Sequence, residues 1–230
     1  MQKEYVLVLG SKPNSIIPNI RVSNIYSANA AAERAAHYKK KFPKTYFSAI
    51  VGSREFLKNI EVHRRVINSN PDLLITRSGK INFRKYFDNN TNYEFFSTYD
   101  SLFFQSNFFN FGLFDIIFAE FKYEAKIFSK FLYLLKGIKN LNFNGTSTGF
   151  FSILYALKKH PESEIIISGI GIKEGGYFYN TNKKDLNLRG FTNRANVDRK
   201  LILCLKKQYK KRLITTDKFL ASYGKIRLWK

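Results

Sequence analysis

Three short loops hold most of the residues that could do chemistry. In Gly10-Ser-Lys-Pro-Asn-Ser15 a glycine exposes backbone amides beside the Ser11 hydroxyl and the Lys12 ammonium. Gly145-Thr-Ser-Thr-Gly149 sets three hydroxyls between two glycines, just before an apolar run. Ser147 or Thr148 can cap a helix there while the free amides face an anion. An ordinary helix cap accounts more simply for any one of these hydroxyls, and the flanking glycines Gly145 and Gly149 add modest weight to anion binding. Gly171-Ile-Lys-Glu-Gly-Gly-Tyr177-Phe-Tyr179 offers Lys173, Tyr177 and Tyr179 as donors to a phosphate, on glycines that permit lid-like movement.

Other chemistries find little support. His37, His63 and His160 are scattered and never fall at HxxxH or HExxH spacing, so no zinc site is expected. Cys204 is the one cysteine, which excludes an intramolecular disulfide and a thiolate cluster; its surroundings, Arg199-Lys-Leu-Ile-Leu-Cys204-Leu, suit a small buried hydrophobe. The lysine-serine/threonine ending of a P-loop is missing after Gly149, and Gly10-Ser-Lys-Pro lacks the glycine triplet of a dinucleotide site.

The elements that must position these loops read as alternating strands and helices. Tyr5-Val-Leu-Val-Leu-Gly10 is an unbroken apolar run stopped by glycine, as a strand covered on both faces requires. Further strands are expected at Asn24–Ala28, Tyr46–Val51, Leu73–Thr76, Asn92–Phe96, Glu164–Ser168 and Arg212–Thr216. Helices are expected over Asn29–Lys41, from the Gly52-Ser53 cap to about Ile67, over Phe150–Lys159, and near Val197–Tyr209. Strands separated by helices imply crossover connections and a largely parallel sheet. Ligands of such sheets bind in the crevice outside the carboxyl ends of the strands, where Gly10, Ser11, Lys12 and Gly169 fall.

The middle of the chain differs. Phe103 to Phe114 is crowded with phenylalanine, and Phe114, Ile117, Phe118, Phe121, Ala125, Phe128, Leu132 and Leu135 recur at helical spacing opposite mixed charges. This predicts an aromatic-rich helical insertion over 98–137, packed on the sheet or serving as a self-association face or acceptor-groove wall. The chain has 230 residues, 39 Lys+Arg against 17 Asp+Glu, and a formal charge of +22. Such a field concentrates nucleotides, nucleic acids, lipid headgroups and acidic glycans. Lys, Asn, Ile and Phe are abundant together, so compositional drift accounts for the charge as readily as function.

Taken in order, the motifs resemble bacterial sialyltransferases of glycosyltransferase family 42. Val6-Leu-Val-Leu-Gly-Ser-Lys-Pro-Asn-Ser15 is similar to the family's first strand ending in Gly-Asn-Gly-Pro-Ser, and Ile25-Tyr-Ser-Ala-Asn29 to its second, which ends in an asparagine. Gly145-Thr-Ser-Thr-Gly149 resembles its Thr-Ser-Gly helix start, and Glu164-Ile-Ile-Ile-Ser-Gly-Ile170 its Leu-Ser-Gly-Ile-Asp strand. Asn196-Val-Asp198 and the strand Arg212–Thr215 continue the order. Both ends of the chain are covered, but not the phenylalanine-rich middle.

The resemblance implies a Rossmann-like α/β fold and a metal-independent transferase. It would move sialic acid, Kdo or a related nonulosonate from a CMP donor to a cell-surface glycan such as lipopolysaccharide or capsule. The CMP-sugar would be a substrate, with no cofactor required; the chain has no Asp-x-Asp pair for Mg²⁺. Hydroxyls, amides and a lysine can stabilise a monophosphate leaving group. Ser11, Asn29, Ser147 and Thr148 would line nucleoside and sugar, and Tyr177, with Tyr179, would donate to the departing phosphate.

Three positions depart from the family. Asn193 stands where the family has its general-base histidine, and asparagine cannot accept a proton. Gly171 replaces the aspartate of Ser-Gly-Ile-Asp, and Gly52 an asparagine after the third strand. Either Glu174 or Asp198 replaces the base, or the sugar chemistry differs, or the chain is a non-catalytic pseudo-transferase. Glu174 could equally be a solvated loop carboxylate, and Asp198 a helix N-terminal charge.

The chain is therefore expected to be a single α/β domain over 1–230, its sheet flanked by helices, with the 98–137 insertion and a lid over 171–195. The rival from another class is a basic module binding nucleic acid or an anionic membrane surface. It rests on Lys206-Lys-Gln-Tyr-Lys-Lys-Arg212 through Lys225-Ile-Arg-Leu-Trp-Lys230. No RNA-binding or zinc-finger signature accompanies that charge, so nucleic acid is the weaker expectation. Met1-Gln-Lys-Glu4 runs into a strand rather than a long apolar stretch, and no apolar run reaches about 18 residues. The expected location is cytoplasmic, with peripheral contact at the inner membrane face through the basic C-terminal segment.

Overall fold

Val6-Leu-Val-Leu9 supplies apolar side chains to both sides of a strand, and both sides are used. Val6 and Val8 enter one core and Leu7 and Leu9 the other, all fully buried. Burial of each such side chain is worth ~1.5–3 kcal/mol relative to exposure, which fixes this strand at the centre. The computed structural model describes residues 4–109, 146–172, 178–179 and 189–230, with side chains from 198 onward in the last segment. The 98–137 insertion is described only as far as 109, and the amphipathic stretch from Phe114 to Leu135 lies outside the described residues, as do Gly145, Lys173, Glu174, Tyr177 and the Asn193 side chain.

The strands are β1 (Tyr5–Leu9), β2 (Asn24–Ala28), β3 (Tyr46–Gly52), β4 (Leu73–Arg77), β5 (Asn92–Phe96), β6 (Glu164–Ser168), β7 (Leu213–Thr215) and β8 (Arg227–Leu228). They form one eight-stranded sheet in the order β5-β4-β3-β2-β1-β6-β7-β8, and every pairing is parallel. The described helices are α1 (Ala32–Lys41), α2 (Ser53–Lys58), α3 (Ile60–Asn68), α4 (Thr98–Ser106), α5 (Thr148–Lys159), α6 (Arg189–Tyr209) and α7 (Lys218–Gly224). Residues of α1, α2 and α3 pack in one core, and those of α5, α6 and α7 in the other. The α/β, Rossmann-like class read from the sequence is the class observed.

β2, β5 and β6 have the bounds read from the sequence. The basic helix expected to run to Ile67 is two helices instead. Asn59 adopts φ −99°, ψ 102°, and its side-chain oxygen accepts from the Glu61 and Val62 amides, ending α2 and capping α3. The helix expected near Val197 begins earlier, at Arg189, and takes in Gly190 in its first turn. Asp198 therefore lies inside α6 rather than at its N-terminus.

In a parallel sheet with crossover helices, the helices end where the strands begin. α1 closes on Lys39, Lys40 and Lys41, α5 on Lys158 and Lys159, and α6 on Lys206 and Lys207. Cations at helix carboxyl ends complement the macrodipole, so this pole of the sheet, opposite the strand carboxyl ends, is strongly basic.

Candidate active site

The chain leaves β1 toward β2 on one side, while β6 lies on the other, so the strand order reverses beside β1. A crevice at the strand carboxyl ends is expected at such a reversal. Two glycines cross there. The Gly10 amide donates to Ser168 O at 2.8 Å, and the Lys12 amide donates to Gly169 O at 2.9 Å. A Cβ at position 10 would lie 2.1 Å from Gly169 O, and one at position 169 would lie 2.6 Å from Gly10 O. Gly169 also holds φ +70°, which favours glycine. Ile170 fills the angle beneath: its Cδ1 would lie 2.7 Å from a Cβ on Gly10 and 2.7 Å from one on Gly149. The first loop, the loop after β6 and the first turn of α5 thus meet at van der Waals contact.

Around this crossing the polar residues are held by strand ends. The Ser11 hydroxyl donates to Ala28 O at 3.3 Å, tying the first loop to the end of β2. Asn29, at φ 51°, accepts from the Gly52 amide through Oδ1 at 3.3 Å, which joins β2 to the end of β3. Thr148 Oγ1 lies 4.0 Å from where a Gly52 Cβ would sit. Ser147 is the N-cap of α5, its Oγ accepting from the Phe150 amide at 3.1 Å. The Ser147 amide donates in turn to Asp198 Oδ1 at 3.1 Å, and Asp198 is 1% exposed. The structure therefore brings Gly10, Ser11, Asn29, Ser147, Thr148, Gly149 and Gly169 to one end of the sheet.

Lys12 does not stand alone. Its Nζ is 2.5 Å from Asp217 Oδ2, and Asp217 Oδ1 accepts from the Leu220 amide at 2.9 Å as the N-cap of α7. Burial alone would raise the Asp217 pKa, but the Lys12 ammonium and the Leu220 amide outweigh it and hold the carboxyl below its ordinary value. A carboxyl whose folded pKa is depressed contributes stability that is full above its unfolded value and is lost as pH falls through the folded value. Asp217→Asn, which keeps the cap, should cost about 1 kcal/mol at neutral pH. The gap in Tm from wild type should close as pH falls through and below the carboxylate range. A gap of constant size across that titration would show that the ion pair is not its cause.

The described part of the third loop lies across the first. The Phe178 amide donates to Ser11 O at 2.9 Å. Its ring lies 5.5 Å from the Arg34 guanidinium carbon, while Arg65 stands 4.9 Å over the Tyr179 ring. Arg34 also holds Ser15, donating to its hydroxyl and, at 2.6 Å, to its carbonyl. Tyr179 thus packs with the α1 and α3 side of the sheet.

Sequence reasoning missed a buried polar cluster behind α5. Arg77, at the end of β4, is 1% exposed and forks onto Thr146 O at 3.2 and 3.3 Å. It donates to Ser101 Oγ at 3.4 Å and lies 4.3 Å over the Phe151 ring. Gln105, fully buried, accepts from the Thr146 amide at 2.8 Å through Oε1 and donates to Ser101 O at 2.7 Å through Nε2. The available signal was a lone glutamine among phenylalanines, which must find partners if buried.

Fold and site together define an α/β protein whose loops converge at the switch point of a parallel sheet. Among solved structures the chain is similar to the sialyltransferase CST-II in complex with a trisaccharide acceptor and CMP, at 19% identity over 98% of this chain and 86% of that one, with a TM-score of 0.55. It is also similar to CstII from Campylobacter jejuni in complex with the substrate analogue CMP-3FNeuAc, at 18% identity over 99% and 85%, with a TM-score of 0.50. Monomeric CstII matches with a TM-score of 0.52 at 18% identity. The chain has a sialyltransferase-like fold. No family profile and no curated protein sequence matches it. Among the described residues there is no group of three or more His, Cys, Asp or Glu placed to hold a metal ion, and no helix long and apolar enough to cross a membrane.

Proposed function

We propose that this chain is a glycosyltransferase that moves an acidic sugar from a CMP donor to a hydroxyl of a cell-surface glycan, without a metal ion. Sialic acid, Kdo and related nonulosonates are the candidate sugars. The observation that carries the proposal is the convergence of Ser11, Asn29 and the Ser147-Thr148 helix start beside the Gly10–Gly169 crossing. Its fold is that of proteins solved with CMP and with an acceptor. Amides and hydroxyls at a helix start suit a nucleoside monophosphate, whose single phosphate needs less charge compensation than a diphosphate.

In the reaction an acceptor hydroxyl oxygen attacks the anomeric carbon of the donor sugar. The bond from that carbon to the phosphate oxygen of CMP breaks, and CMP leaves with the electron pair. Tyr177 donates a hydrogen bond to the departing phosphate; Tyr179, packed under Arg65 with its hydroxyl buried, does not take the role the resemblance gave it. The acceptor proton goes to Glu174, since Asn193 cannot take it and Asp198 is buried against the Ser147 amide. The test is turnover of CMP-activated sialic acid and Kdo in the presence of a chelator. Tyr177→Phe should lower kcat by about 10²-fold or more with little change in donor binding. Glu174→Gln should lower it by roughly 10²–10⁴-fold. An unchanged kcat in either variant removes that residue from its role, and CMP binding without turnover of any donor would mark a pseudo-transferase.

A further inference from the structure

Among the described residues, one dense group of cations lies away from the strand carboxyl ends. At the end of α6, Lys207, Lys210 and Lys211 are exposed and Lys206 is half-buried; Lys225 follows α7, and Arg227 stands on the edge strand β8. Lys210, Lys211, Lys225 and Arg227 line an open recess of about 560 Å³ with Ala221 and Ile226. Partial burial and the neighbouring Lys225 and Lys210 hold the Lys206 ammonium below its ordinary value, a sign of crowded like charge. Among the described residues acidic neighbours are few: Glu164 pairs with Arg227 at 2.6 Å, and Glu162 faces Arg212. Among the described residues Lys210, Lys211 and Lys225 make no ion pair.

Exposed apolar side chains stand on the same three elements as these cations. Leu203 precedes Lys206 and Lys207 by three and four positions and so shares their face of α6. Leu203, Tyr223 and Leu228 are 38%, 37% and 39% exposed. We propose that this edge, formed by the ends of α6 and α7 with β8, docks on an anionic phospholipid surface. Clustered lysines are drawn to such a surface, and the apolar side chains between them enter its interfacial layer. A nucleic-acid site fits less well, because the recess holds a single guanidinium, on Arg227, and that group already pairs with Glu164. The recess opens at the pole where the helices end, so docking leaves the crevice at the strand carboxyl ends uncovered. Docking of this edge does not depend on the transferase reading.

The test is partition of the full chain onto phosphatidylcholine vesicles with and without about 30% phosphatidylglycerol, at about 0.15 M salt. The wild type should bind only the anionic vesicles. Replacing Lys210, Lys211 and Lys225 together by Glu should lower that partition by about a hundred-fold or more. An equal change of charge at the exposed Lys58, Lys80 and Lys85 should leave it within about three-fold. A set of Gln substitutions at the three patch positions, compared by thermal melting, guards against a folding defect. Equal loss in both charge variants, or no binding to anionic vesicles, would overturn the proposal. So would loss in the patch variant of binding to a single-stranded oligonucleotide with vesicle binding retained.

Discussion

Gly10→Val is expected to cost the protein its folded crevice, with Tm lowered by roughly 6–12 °C. The added Cβ would sit 2.1 Å from a carbonyl oxygen, and that oxygen belongs to Gly169, whose own backbone is pinned by the Lys12 amide. Overpacking a core costs about 1–3 kcal/mol when side chains can move aside. Here the obstacle is backbone on one side and the buried Ile170 on the other. The cost therefore falls at or above about 3 kcal/mol, which for a chain of this size corresponds to several degrees. The same close approach forms the crevice, so nucleotide binding should fail with stability. A Gly10→Val chain melting within a degree or two of wild type would mean that the loops after β1 and β6 do not cross as described.

Arg77→Leu is the second large effect, about 2–4 kcal/mol. Removing a buried cation relieves its desolvation, and in some proteins an apolar replacement is neutral. At this site the loss is larger, because Thr146 O loses the forked donor that holds it. The contact with Phe151 goes as well. Thr146 immediately precedes the Ser147 cap of α5, so the helix start that faces the crevice should loosen and nucleotide affinity should fall with stability. Arg77→Lys should lie between, since one ammonium cannot reproduce the fork. Chemical denaturation measures all three; equal stability of the Leu variant and wild type would reduce Arg77 to a spectator.

Much of the architecture is legible in the sequence because a fully buried strand writes itself as an unbroken apolar run. Tyr5-Val-Leu-Val-Leu9 and Glu164-Ile-Ile-Ile-Ser168 can be placed in the centre of the sheet from their residues alone, and the glycines that follow them mark the crossing. Asn59 hides the break between α2 and α3, since an asparagine inside a helical pattern becomes a cap only when the backbone turns there. The capping box at the start of α4, in which Ser97 and Asp100 bond each other's backbone, is obscured by the phenylalanines that dominate its stretch. α7 and β8 are too short to show a period. Within the site, Ser11, Asn29 and Ser147 follow from local motifs. Long-range partners do not: Asp217 for Lys12, Asp198 for the Ser147 amide and Thr146 for Arg77 lie 51 to 205 residues away, and no spacing rule connects them.

The central claim is that the crevice beside β1 recognises a cytidine monophosphate. Thermal shift and calorimetry with CMP, UMP, AMP and GDP at matched ionic strength test it most directly, because base recognition is then separated from attraction to a basic surface. At roughly a hundred times its dissociation constant a ligand adds about 2.7 kcal/mol of stability. CMP alone should raise Tm by several degrees. Equal weak responses to all four nucleotides would contradict the claim and leave a basic binding module as the better description of the chain.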